Sequence, residues 1–378
     1  MNLARLFRRA AAAVLVALLA GCMQAPIAPT TARGADLVYP PPPEEARFVY
    51  ERTIYGSADV IAPESGDDLR RLVTGEGQKS EGLSKPYAVA VHRGRVFVSD
   101  SAQRYIRVFD FPAGRFYKIG EEEPGRIVKP LGIDVDASGT LYVADITARD
   151  VKVFSPEGRF LRAIGGAKWF DRLSSVTVDP RGERLYVVDI GGVGSENHRV
   201  RAFDARTGGH LFDIGRRGAG PGEFNLPRDL AIGKDGRLYV VDGGNFRVQV
   251  FSRDGQFLRS FGALGKQFGQ FARPKEIATD ASGNVYVVDS AFGNFQIFSP
   301  EGELLLFVGE RSERDGPGKY MLPSGIYVDE DGRVYMVDQW FRKVDVFRPV
   351  TLAAGQGHLR RAARASAAPV AAPAPAAR

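Results

Sequence analysis

Short apolar runs with a two-residue period recur along most of the chain, and six of them end on aspartate. The clearest is Gly236-Arg237-Leu238-Tyr239-Val240-Val241-Asp242, where β-branched and aromatic residues alternate before a glycine pair. Alternation of this kind puts successive side chains on opposite faces and predicts a strand. Arg247-Val248-Gln249-Val250-Phe251 follows after a short loop with the same period and reads as a second strand. Matching copies run from Val96 to Asp100, Leu141 to Asp145, Leu185 to Asp189, Val285 to Asp289 and Val334 to Asp338.

The six aspartates are spaced by 45, 44, 53, 47 and 49 residues. Several strands per period of this length predict an all-β chain, a six-bladed β-propeller of four-stranded antiparallel blades. In each repeat a first strand follows a proline in most copies, as in Pro130-Leu131-Gly132-Ile133-Asp134-Val135. Turns such as Asp136-Ala137-Ser138-Gly139 and Ser155-Pro156-Glu157-Gly158 join the strands, with glycine supplying positive φ. We name the strands of a repeat a to d in chain order. The stretch 47–56 reads as an orphan strand d, and the last repeat, ending at Phe347, lacks one. The first strand is therefore expected to complete the last blade and close the ring, which removes two open sheet edges.

The repeat resembles the NHL repeat. The likeness rests on the proline before strand a, on Gly-x-Leu-Tyr-Val-x-Asp, and on Asn245-Phe246-Arg247-Val248-Gln249-Val250-Phe251. It extends from about Arg47 to Phe347, with its best copy at Leu226 to Gly262. Two copies depart from the pattern, with Gly233-Lys234 and Val91-His92 where others have Val-Asp. Relatives of such propellers include zinc-dependent peptidyl-hydroxyglycine lyases and calcium-dependent lactonases. The resemblance therefore implies, as the alternative to a binding scaffold, a metal-dependent enzyme acting on a small polar substrate in the axial funnel. An axial calcium or zinc would be its cofactor; no cofactor is otherwise expected.

The formal charge of +6 comes from the ends of the chain. Residues 36–350 hold 43 basic and 45 acidic residues, so the repeats lack the net positive charge of a typical nucleic-acid binder, and no nucleic acid is expected as a partner. The single cysteine, Cys22, excludes an intrachain disulfide and a cysteine-based metal framework. It stands after Leu19-Ala20-Gly21, at the end of an apolar run preceded by Arg5, Arg8 and Arg9. This resembles the lipobox of bacterial lipoproteins and implies a signal peptide over 1–21 and lipid on Cys22. Met23 in place of aspartate favours the outer membrane, with the protein facing the periplasm. Residues 22–46, with four consecutive prolines, read as an extended tether, 47–350 as the propeller, and 351–378 as a disordered Ala/Pro/Arg-rich tail.

Antiparallel order puts the a–b and c–d turns on one face and the longer, unequal b–c and d–a loops on the other. Function favours such variable loops on a rigid scaffold. Candidates for a ligand or partner face are Trp169, Phe170, His198, Arg216, Arg217, Arg228, Asp229, Lys275, Glu276, Trp340 and Arg342. They predict a mixed-charge funnel edged with aromatics at the loop end of the channel. Each has a blander reading: the tryptophans as packing between blades, the Gly-rich stretch from Arg216 to Gly222 as a plain connection. The blade aspartates read as loop-capping groups, since every repeat carries one. Of His92, His198, His210 and His358 only His198 falls on the loop face, so three histidines are not expected to meet around a zinc. No catalytic residues stand out. The sequence favours a non-catalytic, monomeric scaffold that presents its loop face to a protein or peptide partner in the cell envelope.

Overall fold

Each aspartate-terminated run becomes the second strand of a four-stranded antiparallel sheet, and six such sheets surround one axis. The computed structural model describes residues 37–61, 80–192 and 194–360. Cys22, the apolar run before it, most of the segment read as a tether, and the tail beyond 360 lie outside the described residues. Only two short 3-10 turns, Ser57–Asp59 and Gly243–Asn245, interrupt the β structure of the described residues.

The innermost strands are Pro86–His92, Pro130–Val135, Leu173–Val178, Pro227–Ile232, Pro274–Thr279 and Pro323–Val328. Proline lacks an N–H, so it suits the first residue of a strand. In all six blades the a–b ladder shifts just after that first residue, for example between Pro227 and Leu230 and between Pro274 and Ile277. A bulge at this point re-aims the two residues that follow the proline, which matters for the channel below.

Strand Phe48–Ile54 pairs with Lys343–Pro349, so the N-terminal strand supplies the fourth strand of the sixth blade and closes the ring. Arg333, with no exposed side-chain surface, ties this closure together. Its Nε donates to Glu51 of the closing strand at 2.7 Å, one terminal nitrogen to Asp331 at 2.8 Å and the other to the Gln356 carbonyl at 2.5 Å.

Two segments pack where the sequence predicted none. Val38–Tyr39, inside the stretch read as a tether, pairs with the closing strand as a fifth strand, and the Tyr39 ring meets Phe347 edge-on at 5.5 Å. A valine and a tyrosine are good strand formers beside an open sheet edge. The stretch read as tail is likewise anchored near residue 359. Leu359 is buried with Ile54, Val60 and Phe111, and His358 pairs with Asp331 at 3.0 Å.

The core lies between blades. Between the third and fourth, Val188, Val200, Phe224, Leu238 and Val240 are all fully buried. Each such side chain contributes about 1.5–3 kcal/mol through burial. Around the axis, polar side chains stitch neighbouring blades: Ser99 of a second strand donates to Leu131 O, and between inner strands Ser174 donates to Arg228 O, Thr279 to Ile232 O and Ser324 to Tyr87 O, all at 2.7–2.8 Å.

Candidate functional site

The blade aspartates hold loops. Asp289 accepts backbone N–H groups of Ala272 and Arg273 from the preceding d–a loop and of Ala291 and Phe292 from its own b–c loop. Asp145 does the same with Val128, Lys129, Thr147 and Ala148. A carboxylate saturated by four amide donors is a structural cap. The two loops of each blade are thereby fixed to each other.

Within this frame the post-proline bulge separates two kinds of residue. Asp229 and Glu276, two positions after their prolines, line an axial cavity of about 430 Å³, together with Ala88, Gly132 and Ser175 at the equivalent positions. Their neighbours Arg228 and Lys275 do not line it. The lining continues to Arg93, Ala137, Pro180, Ala281 and Glu330, exposed residues of the a–b turns, so the cavity opens at that end. At the other end the Lys275 ammonium lies 4.9 Å from the centre of the Tyr87 ring and reaches the Pro323 carbonyl at 3.4 Å. The funnel expected on the loop face is thus crowded by this pair, and the open cavity lies at the opposite end of the axis.

The cavity is acidic. Burial pushes Asp229 and Asp134 up to about 6, although Asp229 accepts the Ile277 N–H at 2.9 Å and Asp134 accepts the Thr177 hydroxyl at 2.6 Å. Glu276 is raised well above the usual carboxylate range, first by burial and then by the neighbouring Asp229, with Lys275 opposing. Lys275 falls to about 8, mainly through burial, with the Arg228 and Lys85 charges adding to the fall.

The loop end is cationic. The residue immediately before each inner strand is exposed in every blade: Lys85, Lys129, Arg172, Leu226, Arg273 and Leu322. Arg228 is exposed beside this ring, and its charge and that of Arg172 both act on Tyr87. Among the described residues, none of Lys85, Lys129, Arg172, Arg228, Arg273 and Lys275 forms an ion pair within 4.0 Å. The same loops expose Val128, Leu264, Phe268 and Trp340, the last two with 69% and 62% of their surface accessible.

The remaining predicted residues divide. Trp340 and Arg342 are exposed on a b–c loop, as expected of a partner face. Arg216 and Arg217 are exposed too, but they pair with Glu223 at 2.9 Å and Glu196 at 3.7 Å. Phe170 and His198 are buried and cannot touch a partner; the His198 Nδ1 accepts the Leu226 N–H at 3.2 Å. Trp169 is half-buried and stacks on His210 at 4.6 Å, although the two were expected on opposite faces. The d–a loop folds back along the blade, so a residue in that loop reaches the far end of strand c, where Phe203 meets both Trp169 and Phe170 at 5.7 Å.

Among the described residues, no three His, Cys, Asp or Glu side chains are grouped as a metal site. Among these residues the axis thus offers no set of three such ligands for the calcium or zinc of the enzymatic alternative.

Residues 224–251 match the family model of the NHL repeat. The chain is 29% identical over 220 residues to NHL repeat-containing protein 3 of Mus musculus, an alignment covering 51% of this chain and 59% of that protein. It therefore spans under two thirds of that relative's length. The fold is shared with a streptogramin B lyase (TM-score 0.53, 14% identity, covering 71% of this chain and 94% of that one). It is also shared with a gluconolactonase of Xanthomonas campestris (TM-score 0.53, 14% identity, 79% and 98%). At such identity these two likenesses concern the fold alone. Strand order, ring closure and the repeat match agree: the chain is a six-bladed β-propeller that contains an NHL repeat.

Proposed function

We propose that the protein is a non-catalytic binding scaffold whose b–c and d–a loop face docks a protein or peptide partner. One observation carries this reading. The face combines exposed apolar side chains, Phe268, Leu264 and Trp340 foremost, with a ring of cations that have no ion-pair partner among the described residues. Apolar anchors set among charged groups are the composition of a protein interface. Unpaired cations around the axis favour a partner segment of negative charge. The aspartate caps hold the loops in place before binding, which limits the ordering cost on association.

We place this scaffold at the cell envelope, anchored to the outer membrane through lipid on Cys22. That part of the proposal rests on the sequence pattern around Cys22. Its test is incorporation of labelled fatty acid, expected in the wild type and absent in Cys22→Ser.

The docking face is tested by affinity capture from solubilised envelope with the wild type, with Phe268→Ala/Trp340→Ala, and with Leu161→Ala/Leu211→Ala. The last pair lies on outer strands, away from the loop face. The reading expects a partner retained by the wild type and the outer-strand variant and lost by the loop-face variant. Equal retention by all three would sink it.

A further inference from the structure

The axial cavity holds a polar group that the fold does not use. Glu276 is 4% exposed and lines the cavity, yet its carboxyl accepts no hydrogen bond from any described residue. Asp229 and Asp134, which also line the chamber, differ. Asp229 uses an oxygen to hold the Ile277 N–H of the next blade, and Asp134 holds the Thr177 hydroxyl and the Val178 N–H. They are stitches that also face the chamber, whereas Glu276 stitches nothing. The nearest cation does not serve it either, because the Lys275 ammonium is turned to the Pro323 carbonyl and the Tyr87 ring and forms no ion pair within 4.0 Å. The carboxyl oxygens are not sealed within the protein but face the chamber, where they are free to accept hydrogen bonds.

The chamber around Glu276 has a defined character. Val176, Leu230, Ile277 and Ile326 supply apolar wall, and the volume of about 430 Å³ falls within the range of small-molecule sites. The buried acids of the lining disfavour an anion. A neutral hydroxyl would leave them uncompensated. A cation that donates several hydrogen bonds satisfies both the charge and the free acceptor sites.

We propose that the axial cavity binds a small organic ligand through a primary ammonium group, with Glu276 as its anchor, Asp229 beside it as a second acceptor, and the ligand's carbon chain against the apolar wall. The ligand enters from the a–b turn end, where the cavity is open, so this site is independent of the loop face and of the reading given to it. Burial and the neighbouring Asp229 charge raise the proton affinity of Glu276, a penalty that a bound cation would relieve.

The test is isothermal titration of the full chain with n-pentylammonium, 1-pentanol and n-hexanoate as probes. The proposal expects saturable binding of the ammonium at one site per chain and none of the alcohol or the carboxylate. Glu276→Gln should weaken ammonium binding by about tenfold or more, as expected for loss of a charge-assisted contact. Glu330→Gln, at the exposed mouth, should change it by less than about twofold. Glu276→Gln should also unfold at the same or a higher urea midpoint than the wild type, so that lost binding cannot be laid to lost structure. Equal binding of ammonium and alcohol, unchanged affinity in Glu276→Gln, or no saturable ammonium binding would each overturn the proposal.

Discussion

Replacing Arg333 with methionine removes a buried side chain that joins the closing strand, the last blade and the C-terminal segment. The guanidinium is fully buried and donates to Glu51, Asp331 and the Gln356 carbonyl. Methionine keeps most of the packed stem, so the loss is chiefly electrostatic. Glu51, whose side chain is 8% exposed, is left with Arg52 at 3.9 Å as its nearest cation. Breaking a buried pair from one side costs about 3–5 kcal/mol, because the remaining charge stays desolvated. Urea unfolding followed by far-ultraviolet circular dichroism reads this directly. The companion Glu51→Gln and the double variant complete a cycle in which about 1–3 kcal/mol of the loss is recovered when both partners go. Arg216→Ala is the control. Its pair with Glu223 is solvent-exposed on the arginine side and should be worth less than about 1 kcal/mol. A loss below about 1 kcal/mol in Arg333→Met, or additive single losses, would refute the view that ring closure depends on this buried network.

Three further outcomes follow from the same structure. Gly325→Ala should destabilise by about 1–3 kcal/mol in the same assay, because a Cβ there would lie 2.7 Å from the Tyr87 carbonyl oxygen and 2.8 Å from the Ala88 Cα, both backbone atoms of the next blade. Asp229 and Asp329 are both raised to about 6 by burial, so the folded state binds more protons than the unfolded chain between about pH 4 and 6. These groups therefore make stability fall as pH rises through that window, with the loss complete above it. Asp229→Asn should raise the unfolding free energy from urea titration at pH 7.5 by up to about 2 kcal/mol and flatten its dependence between pH 4.5 and 6.5. Trp340→Ala should leave stability within about 0.5 kcal/mol of the wild type, since the ring is largely exposed; a larger loss would mean that the ring serves the fold rather than a partner.

The architecture was legible because it repeats. Six aspartates at near-constant spacing, one spare strand at the start and one missing at the end lead to the closed ring that Phe48–Ile54 and Lys343–Pro349 form. The candidate site was legible only in part. Arg228, Asp229, Lys275 and Glu276 were placed beside the axis by the proline before them, but the bulge that sends alternate residues to opposite ends of the channel leaves no mark in hydrophobic alternation. Phe170 could have been recognised as core. Leu83, Ile127, Phe170, Phe224, Phe271 and Tyr320 each stand three residues before an inner strand, and all six are buried. The same register, read one residue before the strand, marks the cationic ring of Lys85, Lys129, Arg172 and Arg273. Comparison of aligned positions across repeats carries this signal, whereas attention to conspicuous aromatics misses it. His198 and Trp169 had no such marker, because their surroundings depend on how one irregular loop folds back on its blade.

The loop-face account is tested most directly by photo-crosslinking in living cells, with a benzophenone amino acid placed singly at Phe268, Trp340, Arg228, Leu161 and Leu211. Trp340 and Arg228 lie at the loop end, Phe268 is in a d–a loop with its ring stacked on Phe307 of the outer strand Leu304–Val308, and Leu161 and Leu211 lie on other outer strands. The account predicts one common cross-linked partner from Phe268, Trp340 and Arg228 and no such product from Leu161 or Leu211. The same product from Leu161 or Leu211, or none from the first three positions, would contradict it.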